Sequence, residues 1–105
     1  MRQKIVQQHD LDENGNPAGG ATRAKGILID WQNGPLATTE LNGAFVEGVI
    51  LAAIGRLQFY QTANNKKFAC RENALAITKL EEALMWLEER TRGREERGVE
   101  GTNTP

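Results

Sequence analysis

Four arginines lie within eight residues near the C-terminal end of the sequence, at positions 90, 92, 94 and 97. Arg90 and Arg94 are four positions apart, so both side chains project from the same face of a helix. A planar guanidinium group donates two parallel hydrogen bonds to phosphate oxygens, and two such groups on one face could hold a diphosphate. The glutamates between the arginines also fit a solvated helix with internal salt bridges. The pattern therefore predicts either a phosphate clamp or a solvent-exposed charged face.

Charge reversal separates these two interpretations. For a clamp, Arg94→Glu is expected to abolish ligand retention, because the new carboxylate repels phosphate. We expect the fold to survive, since a solvated charge swap near a helix end changes stability by less than about 0.5 kcal/mol. Arg92 points about 160° away from Arg90 and Arg94, at the ~100° step of an α-helix. Arg92→Glu is therefore the control.

The length of the helix limits what one subunit can bind. Asn73 lies near the start of the same predicted helix, 17 positions before Arg90. That spacing corresponds to about 25 Å at roughly 1.5 Å per residue, which no nucleotide-sized ligand spans. If both ends contact one molecule, two copies of the helix must run antiparallel across a two-fold axis. The site would then lie between subunits.

Residues for covalent catalysis are scarce in this sequence. It contains no serine, one histidine (His9) and one cysteine (Cys70), so a Ser-His-Asp arrangement is excluded. A Cys70–His9 pair would have to unite two distant segments, and we interpret Cys70 as a small half-buried hydrophobe. The glutamates of the C-terminal region lie within helical reach of Lys79 and Arg92 and indicate a solvated face. We therefore expect no enzyme activity.

A metal site is not predicted either. The segment Asp10–Gly15 is similar to the opening of a calcium loop, but the twelfth position, which should supply a bidentate glutamate, is Ala21. We interpret the segment as an ordinary acidic turn. No cofactor is expected.

The fold that positions these residues is predicted to be α+β, with a short N-terminal antiparallel β-sheet followed by a C-terminal helical hairpin in a single domain. Before about residue 37, turn-forming residues dominate. Turns are predicted at Asn14–Pro17 and Gly19–Gly20, and a β-rich run at Gly26–Trp31. Residues 3–8 are expected to supply a partner strand for this run.

Beyond about residue 42 the apolar period changes from two to about 3.6. Asn42 is predicted to cap a first helix over residues 42–61. A second helix is predicted over residues 70–95, with apolar side chains on one face and glutamates on the other. The glycines and threonines of residues 98–105 predict a flexible tail.

Both helices are apolar on more than one side, which favours self-assembly. The residues that fall partly outside the main apolar stripes are Phe45, Leu51, Ala52, Phe59, Leu75, Met85 and Trp86. We expect Trp86 and Phe45 to be largely buried, at least one of them at a subunit contact. A two-helix hairpin alone does not cover this much apolar surface.

Charge and hydropathy exclude several classes of partner. The 13 basic residues are matched by 14 acidic ones, for a net charge of −1, which provides no general attraction to DNA, RNA or an anionic membrane. No segment approaches the ~18 consecutive apolar residues of a membrane span. The first eight residues lack the apolar run of a signal peptide. We expect the protein to stay in the cytoplasm where it is made.

Several strings of residues resemble the phage Thoeris anti-defence (Tad) sponge family. The strings are Phe68–Leu87, Glu89–Thr91, Arg97–Thr102, Trp31–Pro35 and Asn42–Glu47, and the likeness covers about residues 9–102. It implies a phage protein that binds glycocyclic ADP-ribose, the messenger made by bacterial TIR-domain enzymes. Acting in the cytoplasm of the infected bacterial host, such a protein keeps the messenger from the Thoeris effector.

The resemblance also implies a helical-hairpin domain shared with the phage anti-CBASS sponges, which take up cyclic oligonucleotides. Some Tad-like proteins accept both classes of ligand at separate sites of a hexamer. Cyclic di- or trinucleotides are therefore a second expected ligand class. A hexamer built from two-fold dimers is the expected assembly.

Carried over by position, the family's phosphate contacts fall on Arg90 and Arg94, and its polar base contact falls on Asn73. The aromatic side chain that stacks on the base falls at the end of the first helix, on Tyr60 or Phe59. An aromatic face, an amide and rigid phosphate donors are the groups that a nucleotide requires.

One further basic contact is expected from the sheet half, where Arg23 and Lys25 are the nearest candidates. Two other functions stay open. One is a small helical interaction protein that uses the arginine-rich helix end. The other is an enzyme that hydrolyses the messenger, which the scarcity of acid, base and metal-binding residues counts against.

Overall fold

The computed structural model describes residues 2–105, which form two compact units. The first unit holds the chain up to Phe45 together with Arg97–Pro105, and the second is Val46–Glu96. The elements in chain order are strands β1 (Val6–Leu11), β2 (Pro17–Ala24) and β3 (Ile27–Asp30) and helices α1 (Val46–Lys66) and α2 (Arg71–Glu96). The predicted fold class is confirmed, since an N-terminal antiparallel sheet precedes a helical hairpin.

The sheet has three strands in the order β1-β2-β3. The predicted acidic turn joins β1 to β2: a carboxylate oxygen of Asp12 accepts hydrogen bonds from the backbone N–H groups of Asn14 and Asn16, both at 2.9 Å. Such Asx turns satisfy backbone donors locally. The calcium-like string is therefore part of a hairpin. β1 begins later than the strand predicted at residues 3–8, and it pairs with β2 and not with β3, the predicted β-rich run.

Gly19 and Gly20 lie inside β2. The turn predicted there from their residue type is therefore wrong. Gly20 pairs with His9 on β1, and its φ is +121°. Residues other than glycine rarely adopt that backbone conformation. A Cβ at this position would also lie 2.1 Å from the carbonyl oxygen of Gln8. The glycine is needed because two strands approach each other closely here.

Asn42 does not cap α1. Its side-chain amide accepts a hydrogen bond from the N–H of Asn33 at 2.8 Å and donates to the C=O of Asn33 at 2.9 Å. The side-chain oxygen of Gln32 accepts from the N–H groups of Asn42 and Gly43, at 2.9 and 3.0 Å. These amides join the segment after β3 to the segment before the helix. As a result, α1 begins at Val46, four residues later than predicted.

The helices are joined by a short connection with a left-handed backbone. Regular helical geometry stops at Ala63, whose ψ is 145°, and residues 64–66 have φ values of 49°, 53° and 65°. Two of these three residues are asparagines, which tolerate this conformation better than most. The amide of Gln61 accepts from the N–H of Cys70 at 3.0 Å and donates to its C=O at 3.1 Å. This pair of bonds ties the end of α1 to the start of α2.

Little apolar surface is buried within one chain. Among the described residues, only Ala21 and Ile54 are hydrophobic residues with less than a tenth of their surface exposed. Trp86 is 71% exposed and Phe45 is 41% exposed. The expectation that both are largely buried is therefore wrong for the single chain. For Trp86, the reason is that α1 covers only one face of α2. Whether a second subunit covers Trp86 stays a prediction.

Neither helix in the described part of the chain is both long enough and apolar enough to cross a membrane.

We expect the purified protein to be an oligomer, a hexamer of two-fold dimers, because each chain leaves large apolar side chains uncovered. Light scattering at micromolar concentration should give a multiple of the 11.6 kDa chain mass. Trp86→Glu should lower that mass, since it places a charge on uncovered apolar surface. Lys79→Gln, which changes an exposed side chain paired with Glu82, should not. A wild-type mass near 11.6 kDa would contradict the assembly.

Candidate functional site

A concave pocket of about 380 Å³ lies where α1 passes into α2. It is lined by Phe59, Tyr60, Ala63, Phe68 and Asn73. The first three come from the last turns of α1, Phe68 comes from the connection, and Asn73 comes from the first turn of α2. The hairpin thus places three aromatic rings around a single, almost wholly apolar space, with Asn73 among the lining residues. An aromatic lining of this kind suits the flat face of a ring system.

The two aromatic residues of α1 are held by a cation and not by burial in a core. Phe59 is 51% exposed and Tyr60 is 38% exposed, with ring centroids 5.9 Å apart and ring planes at 58°. The guanidinium carbon of Arg56 lies 4.8 Å from the Phe59 centroid and 4.9 Å from the Tyr60 centroid. The Nε of Arg56 also donates a hydrogen bond to the Tyr60 hydroxyl at 3.2 Å. Such cation–π contacts contribute about 0.5–1 kcal/mol at exposed sites.

Phe68 is brought to the pocket by the left-handed connection. The ring is 55% exposed, and the ammonium of Lys67 lies 5.5 Å from its centroid. The backbone N–H of Lys67 donates to the C=O of Asn64 at 3.1 Å, which closes the turn. Sequence analysis did not identify Phe68 or Arg56 as site residues. The signal for Arg56 was present, because an arginine three and four positions before two aromatic residues shares their helix face.

Asn73 is half-buried at the start of α2. Its backbone N–H donates to the sulfur of Cys70 at 3.5 Å, and its side-chain amide has no hydrogen-bond partner within residues 2–105. A free amide presents two donors and an acceptor, which match the edge of a nucleobase. The structure therefore brings Asn73 together with Phe59 and Tyr60, as the sequence-based assignment requires of a base site.

Arg90 lies on the same helix but far from this pocket. The 17 residues from Asn73 to Arg90 belong to one continuous helix, so the two are about 25 Å apart along its axis. The side chain of Arg90 is exposed, and it makes no ion pair or hydrogen bond among the residues that the structure describes. Its guanidinium group is available to an anion. Within one chain, however, the structure does not bring Arg90 to the aromatic pocket.

Arg92 is occupied by its neighbours. Its guanidinium group pairs with Glu89, and it donates to Glu96 at 2.6 Å. The hydrogen bond from Arg92, together with its charge, lowers the pKa of Glu89 below its usual value. The glutamates beside Arg92 thus form the internal salt bridges of a solvated face, as one interpretation of the sequence proposed for the whole run.

Arg94 differs from both of its neighbours. It is only 6% exposed, and it interacts with other groups of the chain. The expectation that position 94 is solvated is therefore wrong. The prediction that Arg94→Glu leaves the fold unchanged assumed a solvated side chain, so we now expect the opposite. Burying a guanidinium group is costly unless hydrogen bonds or ion pairs compensate. Arg94 thus has a structural role in addition to any role in phosphate binding.

Arg23 and Lys25 lie in the sheet unit. Arg23 is in β2 and opposite Val6 and Leu28 in the register, and Lys25 is in the turn between β2 and β3. Both side chains are exposed. That one of them supplies the additional basic contact stays a prediction.

The two groups considered for nucleophilic catalysis lie in different units of the structure. His9 lies on β1, where a ring nitrogen is 3.2 Å from the side-chain oxygen of Gln7. Cys70 lies at the start of α2 in the helical unit and is exposed, not half-buried as expected. Among residues 2–105, no three His, Cys, Asp or Glu side chains lie close enough together to hold a metal ion.

Comparison with known proteins identifies relatives of this chain. Residues 23–92 match the model of the Acb2/Tad1 hairpin domain. Over 75 residues the chain is 55% identical to a protein of Bacillus phage SBSphiJ7 named Thoeris anti-defense 1, an alignment that covers 71% of this chain and 51% of that protein. The chain thus spans about half the length of this relative. The matched region includes the aromatic pocket and Arg90.

Proposed function

The chain belongs to the Acb2/Tad1 hairpin family, and from this premise we propose that it is a phage anti-defence protein that binds glycocyclic ADP-ribose without cleaving it. By sequestering this messenger of TIR-domain enzymes, it would block activation of the Thoeris effector in the infected bacterium. In support, the relative from Bacillus phage SBSphiJ7 is named Thoeris anti-defense 1.

The observation that supports this proposal best is the aromatic pocket. Phe59, Tyr60 and Phe68 offer ring faces on which a base stacks, and stacking contributes on the order of 1–3 kcal/mol per base. Asn73 is also a lining residue of this pocket, and its unpaired amide would turn to the polar edge of the base. A planar base therefore finds both kinds of contact in one place.

The phosphates would be bound by Arg90 and Arg94 of a second subunit. Asn73 and Arg90 of one helix are too far apart for one nucleotide, so an antiparallel partner helix would bring Arg90 of one copy beside the pocket of the other. Enclosure between subunits slows ligand release, which a sponge needs in order to compete with effectors that bind the same messenger. A hexamer of two-fold dimers is the assembly in which we propose this arrangement.

Two alternatives are kept as outcomes of the test. An enzyme that degrades the messenger would need a positioned acid, base or metal, and the pocket-lining residues are three aromatic residues, an alanine and an asparagine. A small interaction protein would use exposed apolar side chains such as Trp86. In our proposal, Trp86 instead lies at a contact between two copies of this chain.

The proposal predicts that glycocyclic ADP-ribose is retained and released intact. Purified protein is incubated with the messenger, filtered to remove free ligand, heat-denatured and filtered again, and the released small molecule is analysed by mass spectrometry. Intact messenger should appear only after heating, because the folded protein holds it. Degraded messenger would indicate an enzyme. Messenger that passes through the first filter would contradict both the sponge and the enzyme. A small interaction protein would then be the remaining function.

Cyclic di- and trinucleotides form a second ligand class in this proposal, at a site separate from the aromatic pocket. The same retention assay tests them, with glycocyclic ADP-ribose present as a competitor. Simultaneous retention of both ligands would indicate two sites, whereas displacement of one by the other would indicate a single shared site.

A further inference from the structure

Arg56 is an exposed cation whose terminal nitrogens are free. Its guanidinium group lies within 5 Å of two ring centroids, and its Nε is used by the hydroxyl of Tyr60. In the part of the chain that the structure describes, no carboxylate pairs with it. The two terminal NH₂ groups therefore have no protein acceptor there. A cation oriented in this way and left unpaired is suited to bind an anion from solution.

The position of Arg56 relates it to the pocket. Arg56, Tyr60 and Ala63 follow each other at steps of four and three residues, so they lie on one face of α1. Tyr60 and Ala63 line the pocket, and Arg56 is the next residue of the same stripe, about one helical turn of 5.4 Å away. Its guanidinium group contacts two of the rings that line the pocket.

We infer that Arg56 binds a phosphate group of the nucleotide whose base occupies the aromatic pocket. The inference rests on the proposed function and adds a phosphate contact from the subunit that binds the base. The cation–π contacts with Phe59 and Tyr60 hold the guanidinium group in place, so less side-chain freedom is lost when the phosphate binds. A base stacks on ring surface that Arg56 leaves uncovered, while an adjoining phosphate contacts the terminal NH₂ groups of Arg56.

A purely structural role for Arg56 makes a different prediction. If Arg56 only orients the two rings, its loss weakens stacking, which does not depend on salt. If it binds phosphate, its loss removes part of the attraction that salt screens. The salt dependence of ligand affinity therefore separates the two roles.

The test is calorimetric titration of the full chain with glycocyclic ADP-ribose at several salt concentrations. Arg56→Gln should raise Kd at least about tenfold, as expected for losing a hydrogen bond between charged groups, and should flatten the rise of Kd with salt. Arg56→Lys keeps the charge but not the fork, so it should keep the salt dependence and lose only part of the affinity. Arg92→Gln, on a guanidinium group already paired with Glu89 and Glu96, is the matched control and should bind as the wild type does.

Three outcomes would overturn a proposal, and they are distinguishable. Arg56→Gln within twofold of the wild-type Kd would show that Arg56 does not contact the ligand. A raised Kd with unchanged salt dependence would reduce Arg56 to orienting the rings. Wild-type protein that binds no glycocyclic ADP-ribose would contradict the proposed function itself.

Discussion

Arg90→Glu is expected to abolish retention of glycocyclic ADP-ribose while leaving the melting temperature and the assembly unchanged. The side chain is exposed and unpaired among the described residues, so it contributes little to folding. The substitution removes a charge-assisted hydrogen bond and places a carboxylate where the phosphate would bind. Both effects together should raise Kd by at least about a hundredfold. Calorimetric titration measures the affinity, and thermal melting with light scattering checks the fold.

Arg92→Glu is the matched control for this substitution. It makes the same change of charge two residues away, on another side of the helix and on a guanidinium group already bound by Glu89 and Glu96. It should bind ligand normally. Normal binding by both variants would mean that the arginines form only a solvated face. Failure of both, with fold and assembly intact, would mean that the field of the whole cluster matters more than one contact.

Arg94→Glu is expected to destabilise the protein strongly, in contrast to Arg90→Glu. Arg94 is 6% exposed and interacts within the chain, so the substitution would bury a carboxylate in place of a cation that makes interactions. Removing one partner of a buried charged interaction costs about 3–5 kcal/mol. Chemical denaturation should show a corresponding loss in the free energy of unfolding. Ligand retention should be lost as well, because the substitution also removes one of the proposed phosphate contacts.

Arg97→Glu provides the comparison for Arg94→Glu. Arg97 is exposed and donates a hydrogen bond to the C=O of Pro105 at 2.9 Å. The same change of charge there should alter the free energy of unfolding by less than about 0.5 kcal/mol. Equal stability of the Arg94→Glu and wild-type proteins would show that the buried guanidinium group does not stabilise the fold. In that case, loss of ligand retention by the Arg94→Glu variant would report on phosphate binding alone, as it does for Arg90→Glu.

Features that depend on local periodicity can be predicted from the amino-acid sequence alone. The change from alternating to helical spacing near residue 42 predicted a sheet followed by a helical hairpin, because strands and helices bury side chains at different periods. The spacing of the residues also predicted that Asn73 and Arg90 share one helix and cannot reach one nucleotide within a chain. Both statements need only the rise per residue and the order of residues along the chain.

Features that depend on contacts between distant residues could not be predicted from local patterns and are seen first in the folded chain. Asn42 has the residue type of a helix cap, but its amide bonds to Asn33 instead, a partner that local pattern does not reveal. Arg94 and Arg90 occupy the same helix face and look equivalent in the sequence, yet one is buried and the other exposed. Burial depends on which parts of the chain pack together, and helical spacing does not contain that information. For the same reason, the aromatic pocket became visible only when the left-handed connection placed Phe68 beside the rings of α1.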